Sequence, residues 1–317
     1  MQQFVIRRVL LAIPTILAVM IIVFLSIHLA PGDPVDQMIP PDMPGDAREE
    51  AAELIRQQYG LDQPLHIQFY TYLTRVLRLD FGRSLRHRTE IREDLKRRIP
   101  NTLQLGILAL IISVLLGVGF GIVSAVRRDS VIDNVVTFGA LFGVSMPNFF
   151  FGFILMLLFG LHLRWLPPSG FGNSILSWEG LRFAIMPALT LGTASSGVLA
   201  RFTRSSMLDV TNEDYVRTAR AKGLSGRVVI FRHALRNALI PVITLLGIQF
   251  GAMLSGSVIT ETVFSWPGVG RYLIQGISTR DYPVVQGATL VISVGFVLAN
   301  FLTDLAYGFI DPRIRYE

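Results

Sequence analysis

The chain has no cysteine, which excludes disulfides and thiolate metal centres. Charge is scarce as well. Only 16% of its 317 residues are charged, where a soluble domain carries roughly 25%. With 51% hydrophobic residues and a mean hydropathy of +0.50, the deficit marks a chain solvated largely by lipid. A Gly-x-x-x-x-Gly-Lys-Ser/Thr phosphate loop is missing, so this chain is not expected to bind nucleotide itself. The histidines His28, His66, His87, His162 and His233 lie in different segments, without a His-x-x-x-His pair or a carboxylate at ligand spacing. No metal centre is expected from them. The net charge of +6 raises nucleic acid as a partner, but no aromatic-interleaved basic stripe accompanies it. Gly192-Thr-Ala-Ser-Ser-Gly197 offers serines without a His or Lys at helical spacing, so no catalytic residue emerges. Neither a long internal repeat nor a low-complexity tract is present.

What is there is apolar length. A helix needs about 20 apolar residues to cross the hydrocarbon core. Six runs qualify: Val9–Leu29, Leu103–Val126, Val135–Leu161, Ala184–Phe202, Ala238–Ile259 and Val284–Phe309. The first continues through Pro14 and lacks a small-residue cleavage site, so it reads as a retained span. The fourth is rich in Gly, Ala, Ser and Thr, residues that let helix backbones approach closely in lipid. It is expected inside the bundle, as packing or as a face of a translocation path. The fold class is therefore an all-α polytopic membrane protein with six transmembrane helices. Arg and Lys near the ends of short loops set the orientation. Arg7, Arg8, Arg127, Arg128, the cluster from Arg201 to Arg236, and Arg313 and Arg315 all fall on one side. The opposite short loops hold only Arg164, Arg182, Arg271 and Arg280. Both termini are read as inside. Residues 1–30 form the N-terminus and first span, 31–100 an outer loop, and 101–317 a five-helix core.

The outer loop resists the charge rule, because its end, Arg83-Ser-Leu-Arg-His-Arg-Thr-Glu-Ile-Arg-Glu-Asp-Leu-Lys-Arg-Arg98, is basic beside a span. Long loops cross largely regardless of charge, so it stays outside. Phe69, Tyr72, Leu73, Val76 and Leu77 follow helical spacing. Asp46 to Tyr59 reads as another helix, ended by Gly60. A helical outer cap between the first two spans is expected. Pro31-Gly-Asp-Pro34 is read as the turn closing the first span. Trp165 and the prolines after it predict an interfacial turn. A turn at Trp266-Pro-Gly268 precedes a short amphipathic helix, with interfacial roles for Tyr272 and Tyr282.

Polar residues inside spans are expensive and mark candidates for function. Ser145, Pro147 and Asn148 break the third span, as a cavity lining or as a packing kink. Asn300 and Asp304 share one face of the last span, with Asp304 expected to pair with an arginine of the inner loop. All but Pro147 are candidates for a translocation path. An intramembrane hydrolase would need a nucleophile–base pair that cannot be assembled from these spans. A proton-coupled carrier would need internal repeats or mid-membrane carboxylates, and only Glu261 and Asp304 come close.

The charged island is the inner loop from Asp209 to Pro241. Thr211-Asn-Glu-Asp214 predicts a capping box, Gly223 a helix stop and Ser225 the cap of a second helix. Tyr215-Val-Arg-Thr-Ala-Arg-Ala-Lys-Gly-Leu224 followed by Arg232-His-Ala-Leu-Arg-Asn-Ala-Leu-Ile-Pro241 resembles the EAA loop of ABC importer permeases. More narrowly, the chain resembles the membrane subunits of dipeptide, oligopeptide and nickel importers. Arg7-Arg8, Pro31–Pro34, Leu79-Asp-Phe-Gly82, Trp165-Leu-Pro167, Asp281-Tyr-Pro283 and Asp311-Pro-Arg-Ile-Arg-Tyr316 extend the resemblance over nearly the whole chain. Arg217-Thr218-Ala219 departs from the general motif in the manner of the peptide branch.

The resemblance implies a type I ABC importer permease fold in a bacterial or archaeal inner membrane. Its ATPase-coupling loop would comprise Tyr215, Arg217, Ala219, Arg220, Ala221, Lys222, Gly223 and Leu224, with Asn237 and Pro241 at the loop end. Ala219, Ala221 and Gly223 would form the core of the contact with the ATPase. Implied partners are a homologous second permease, two cytoplasmic ATP-binding subunits holding ATP and Mg, a periplasmic or lipid-anchored solute-binding protein, and membrane lipid. The implied solute is a dipeptide or oligopeptide, with glutathione, an opine or chelated nickel as alternatives.

Overall fold

A computed structural model describes residues 2–29, 35, 39, 43–172 and 174–310. The Pro31–Pro34 turn and the segment from Asp311 to Tyr316, with Arg313 and Arg315, lie outside the described residues. The first span is α1 (Gln2–His28), which continues through Pro14. The outer cap holds α2 (Gly45–Tyr59) and α3 (Leu65–Leu77). Gly60 closes α2 at φ +67, as its position in the sequence predicts. Phe24 of α1 meets Phe69 and Tyr72 of α3 with ring centroids 5.3 and 5.8 Å apart. The apolar stripe of α3 thus covers the outer end of α1, and burial pushes the Tyr72 hydroxyl up to about 12.

The core begins with α4 (Ile91–Val126), a continuous helix of 36 residues. Next come α5 (Val131–Ser145) and α6 (Asn148–Leu155), the latter ending in a π-helical stretch Met156–His162. Then follow α7 (Trp178–Thr211) and α8 (Asp214–Ala221). A short α9 (Gly226–Val228) passes through a second π-helical stretch, Val229–Ala234, into α10 (Leu235–Val263). The chain closes with α11 (Val269–Ser278) and α12 (Tyr282–Ile310). Among the described residues, five helices are long and apolar enough to span a membrane, and the α5–α6 pair, bent by 105°, makes a sixth when counted as one broken span. The bend has a local cause. A residue before proline is pushed out of the α region, and Met146 sits at φ −82, ψ 127 ahead of Pro147.

The small-residue helix α7 is the most buried of the spans. A Cβ on Gly121 of α4 would lie 2.6 Å from the Thr203 Cβ of α7, a distance that real side chains do not adopt. The two backbones meet there because glycine leaves room. Leu105, Ala109, Ala184, Ala188, Leu191 and Met253 pack into one core with Trp266. Trp266 donates its indole N–H to the Asn101 carbonyl at 3.0 Å and meets Phe171 edge-on.

Two buried carboxylates pin the outer end. Glu261, fully buried at the end of α10, accepts from the Thr102 hydroxyl at 2.7 Å, the Ser257 hydroxyl at 3.1 Å and the Arg271 N–H at 3.0 Å. Asp281 accepts from the Ser84 hydroxyl and from the N–H groups of Leu85 and Arg86 at 3.2 and 3.3 Å. The expected interfacial role of Tyr272 does not hold. Its ring is buried, its hydroxyl donates to Asp94 at 3.2 Å, and burial pushes its pKa up. The short helix α11 turns this residue into the core between α4 and α12.

Candidate functional site: the inner coupling segment

Helix α7 runs further into the charged island than the expected capping box allows, ending at Thr211. Thr211 is not a cap. Its hydroxyl donates back to the Leu208 carbonyl at 3.0 Å, an i−3 bond that keeps it within α7. Glu213 takes the extended conformation before α8 without a side-chain cap bond. The other end follows the sequence closely. Gly223 at φ +77 sends its N–H to the Arg220 carbonyl at 2.9 Å, and the Leu224 N–H reaches the Ala219 carbonyl at 3.4 Å. This pair of bonds is a Schellman stop. Ser225 is extended before α9, but its side chain makes no cap bond.

Within α8, Val216 and Ala219 are three residues apart and share a face. Both are buried against Val229 and Val210. Ala219 is thus turned into the chain's own core, while Ala221, Lys222, Gly223 and Leu224 stand exposed with Arg217 and Arg220. The outward surface is a basic shelf ending in an open turn. Asn237 donates its side-chain amide to the Tyr215 hydroxyl at 2.7 Å, so α8 is tied directly to α10. Ser206 donates to the Ala238 carbonyl at 2.8 Å, tying α7 to the same helix. Pro241 lies exposed on α10, a turn beyond Asn237.

One element of this end was not legible as a site. Asp133 at the start of α5 is buried and takes both ends of the Arg204 guanidinium, at 2.7 and 2.6 Å. The Ser124 hydroxyl also donates to it, as does the Asp129 N–H at 2.9 Å. The cluster joins the α4–α5 turn to the inner part of α7, ahead of α8. Its only sequence signal is an Asp in the first turn of α5, where it also serves the helix N-terminus.

The candidate path residues separate into two places. Asn148 lines a groove of about 390 Å³ with Phe120, Gly139, Thr190, Thr193 and Ser196. This groove lies between the broken span and the small-residue face of α7. Ser145, the last residue of α5, is exposed beside the bend. Asn300 and Asp304 instead line a cleft of about 470 Å³ between α1, α10 and α12. Asp304 pairs with Arg8 of α1 at 2.9 Å, not with an arginine of the inner loop. The first helix supplies the counter-charge because its Arg8 reaches the same depth.

A helical bundle of candidate membrane spans, one of them broken, with a short basic helix exposed at one end is the architecture of a membrane transport subunit. The chain belongs to the binding-protein-dependent transport system inner membrane component family, whose model matches residues 117–316. The companion N-terminal family matches residues 1–106. The glutathione transport system permease protein GsiC of Salmonella choleraesuis (strain SC-B67) is 46% identical over 317 residues, covering 100% of both chains. The GsiC protein of Escherichia coli (strain K12) is 43% identical over the same 317 residues and 100% of both chains. In fold, the chain resembles one in an inward-facing structure of the MetNI methionine ABC transporter. The TM-score is 0.57 at 14% identity, covering 69% of this chain and 96% of that one. The protein is therefore a multi-pass inner-membrane ABC importer permease. It is not an enzyme, and ATP hydrolysis lies in partner subunits. Permeases of this family work with a second permease, ATPases and a solute-binding protein.

Proposed function

We propose that this chain forms half of the path for a short peptide of the glutathione class, and that the exposed face of α8 is where an ATPase subunit docks. The observation that carries the solute reading is likeness over the whole chain, outer cap included, to permeases named for glutathione transport. Among the alternatives weighed from the sequence, this likeness favours glutathione over a nickel chelate or an opine. Dipeptides and longer peptides remain in the same chemical class. The docking reading rests on geometry. Arg217, Arg220, Ala221, Lys222, Gly223 and Leu224 are exposed at one end of α8, while Tyr215 and Asn237 brace that helix against α10. A push on the shelf therefore reaches α10 through a hydrogen bond and α7 through the peptide chain. In this reading ATP and Mg are held by two ATPase subunits, and this chain binds no cofactor. A homologous second permease completes the path, with Asn148, Ser145, Asn300 and Asp304 as its polar candidates.

The test is uptake into proteoliposomes carrying the full complex, with ATP enclosed and the cognate binding protein outside. Labelled glutathione should accumulate only with ATP, and unlabelled glutathione should suppress the signal. Accumulation of a simple dipeptide with no uptake of glutathione would replace the tripeptide assignment.

A further inference from the structure

Helix α5, the inner half of the broken span, is thinly anchored. Of its 15 residues only Asp133 and Ala140 are buried, while α7 beside it buries thirteen. Its outer end is the break at Met146 and Pro147, where the span bends by 105°. Between its ends it lends Val136, Gly139 and Gly143 to the wall of the groove of about 390 Å³, together with Thr193 and Ser196 of α7. The place of that wall therefore depends on very few contacts.

The two buried residues make those contacts. In the middle of α5 the backbones touch, since a Cβ on Gly197 of α7 would lie 2.5 Å from the Ala140 carbonyl oxygen. A single point of contact sets a distance but not a direction. At the inner end the Asp133 carboxylate receives the Nε and one terminal nitrogen of Arg204 on separate oxygens, at 2.7 and 2.6 Å. The Ser124 hydroxyl of α4 and the Asp129 N–H complete its shell. A two-point fork fixes direction as well as distance. From Asp133 to Met146, α5 is a lever of about 20 Å. Without the fork, a swing of about 10° about the proline break carries its inner end by about 3.5 Å, from the same length. A buried ion pair is weak evidence for stability, because desolvation of both charges offsets their attraction. Its value here is geometric.

We infer that Asp133 and Arg204 are a positioning pair for transport: they make α5 ride on α7, so that the α5 wall of the groove keeps its place as α7 moves. Arg204 stands about two helical turns before the end of α7 at Thr211, and α8 begins at Asp214. The pair thus takes up motion close to where the proposed ATPase contact delivers it. The inference rests on that docking reading for the source of the motion alone.

A chain without cysteine takes thiol labels cleanly. Asn134 and Ser205 are exposed neighbours of the pair in sequence, so Asn134→Cys and Ser205→Cys carry spin labels in the full reconstituted complex. With the pair intact, the label-to-label distance should be narrow and should stay so with and without nucleotide. Arg204→Gln should broaden it, and Arg204→Lys, which keeps the charge and one bond, should narrow it again. In the same variants, solute taken up per ATP hydrolysed should fall about fivefold or more for Arg204→Gln and recover in part for Arg204→Lys. Stimulated ATP hydrolysis and retention of the ATPase should stay near wild type. A second measurement leaves the pair untouched: a short bifunctional thiol reagent joins the two cysteines, and uptake should survive it. An unchanged distance in Arg204→Gln overturns the inference, as do equal falls in hydrolysis and uptake. Uptake abolished by the bridge also overturns it, because α5 and α7 would then have to separate in each cycle. Failure of the docking reading shows elsewhere, as Gly223→Trp matching Gly223→Ala in ATPase retention while the label distances hold.

Discussion

Gly223 separates two reasons for needing a glycine. Its φ is +77, and nothing lies within 4 Å of the place a Cβ would occupy. In this chain alone, space is free and only conformation is demanded. An L-residue in the left-handed region costs about 1–2 kcal/mol, and asparagine, which tolerates that region, costs less. Gly223→Ala should therefore loosen the Schellman stop by about 1 kcal/mol, about a fivefold change in the closed population of that turn. Gly223→Trp carries the same backbone cost and adds bulk that matters only if a partner surface closes over the residue. The assay is ATPase stimulation by loaded binding protein in the reconstituted complex, with size-exclusion chromatography to follow retention of the ATPase subunits. Gly223→Asn should stay near wild type and Gly223→Ala within about fivefold of it. Gly223→Trp should fall at least tenfold below Gly223→Ala or release the ATPase. Equal behaviour of Trp and Ala would refute docking over Gly223. Asparagine as damaging as tryptophan would refute the conformational account.

Arg204→Ala leaves the Asp133 carboxylate, with a side chain 3% exposed, without its bidentate partner. Breaking a buried pair costs about 3–5 kcal/mol, and with Arg204 itself 28% exposed the lower figure is expected. A thermal-inactivation midpoint in detergent equal to wild type would mean that the carboxylate is solvated. Gly121→Leu forces α4 away from α7, because even its Cβ would be 2.6 Å from Thr203. A loss of about 1–3 kcal/mol is expected, read as reduced yield of folded protein, while wild-type yield would show that the two helices separate freely. In the outer cap, the Gly82 N–H and Arg75 hold the Asp80 pKa below its ordinary value. The stabilisation is present above the unfolded value of about 3.9 and is lost as pH falls below it towards the folded value. Asp80→Asn should thus speed hydrogen exchange in α3 at neutral pH and not at strongly acidic pH. The same difference at both would show that the charge is irrelevant.

Spans and breaks were legible because lipid imposes length and proline imposes geometry. The run from Leu103, the bend at Pro147 and the stop at Gly223 are local demands, written within a few residues of where they act. Pairing was not legible. Asp304 announced a cost within the last span, but its partner Arg8 is at the other end of the chain. Glu261 looked like a residue at a span end, and only folding brings Thr102, Ser257 and Arg271 to its oxygens. The face of a short helix was equally hidden. Ala219 and Ala221 read alike as small neighbours of a glycine, and the position of Val229 decides that Ala219 turns inward. Tyr272 read as interfacial because tyrosine prefers headgroups, but Asp94 and Arg98 give its hydroxyl and ring partners inside.

Helix α7 is 34 residues long and runs from the outer Ser177 cap to the inner turn before α8. At the α-helical rise it is a rod of about 51 Å. Its close seam with α4 favours motion as a unit, with Pro187 in its interior as the place where it could hinge, so displacement at its inner end that does not bend the helix there is delivered as tilt. Each degree of that tilt moves the far end by about 0.9 Å, from the same rod length. In the proposed coupling, a rotation of a few degrees driven from a docked ATPase is enough to change an opening on the opposite side of the bilayer by the width of a methyl group. The gearing of the machine is fixed by the length of one helix.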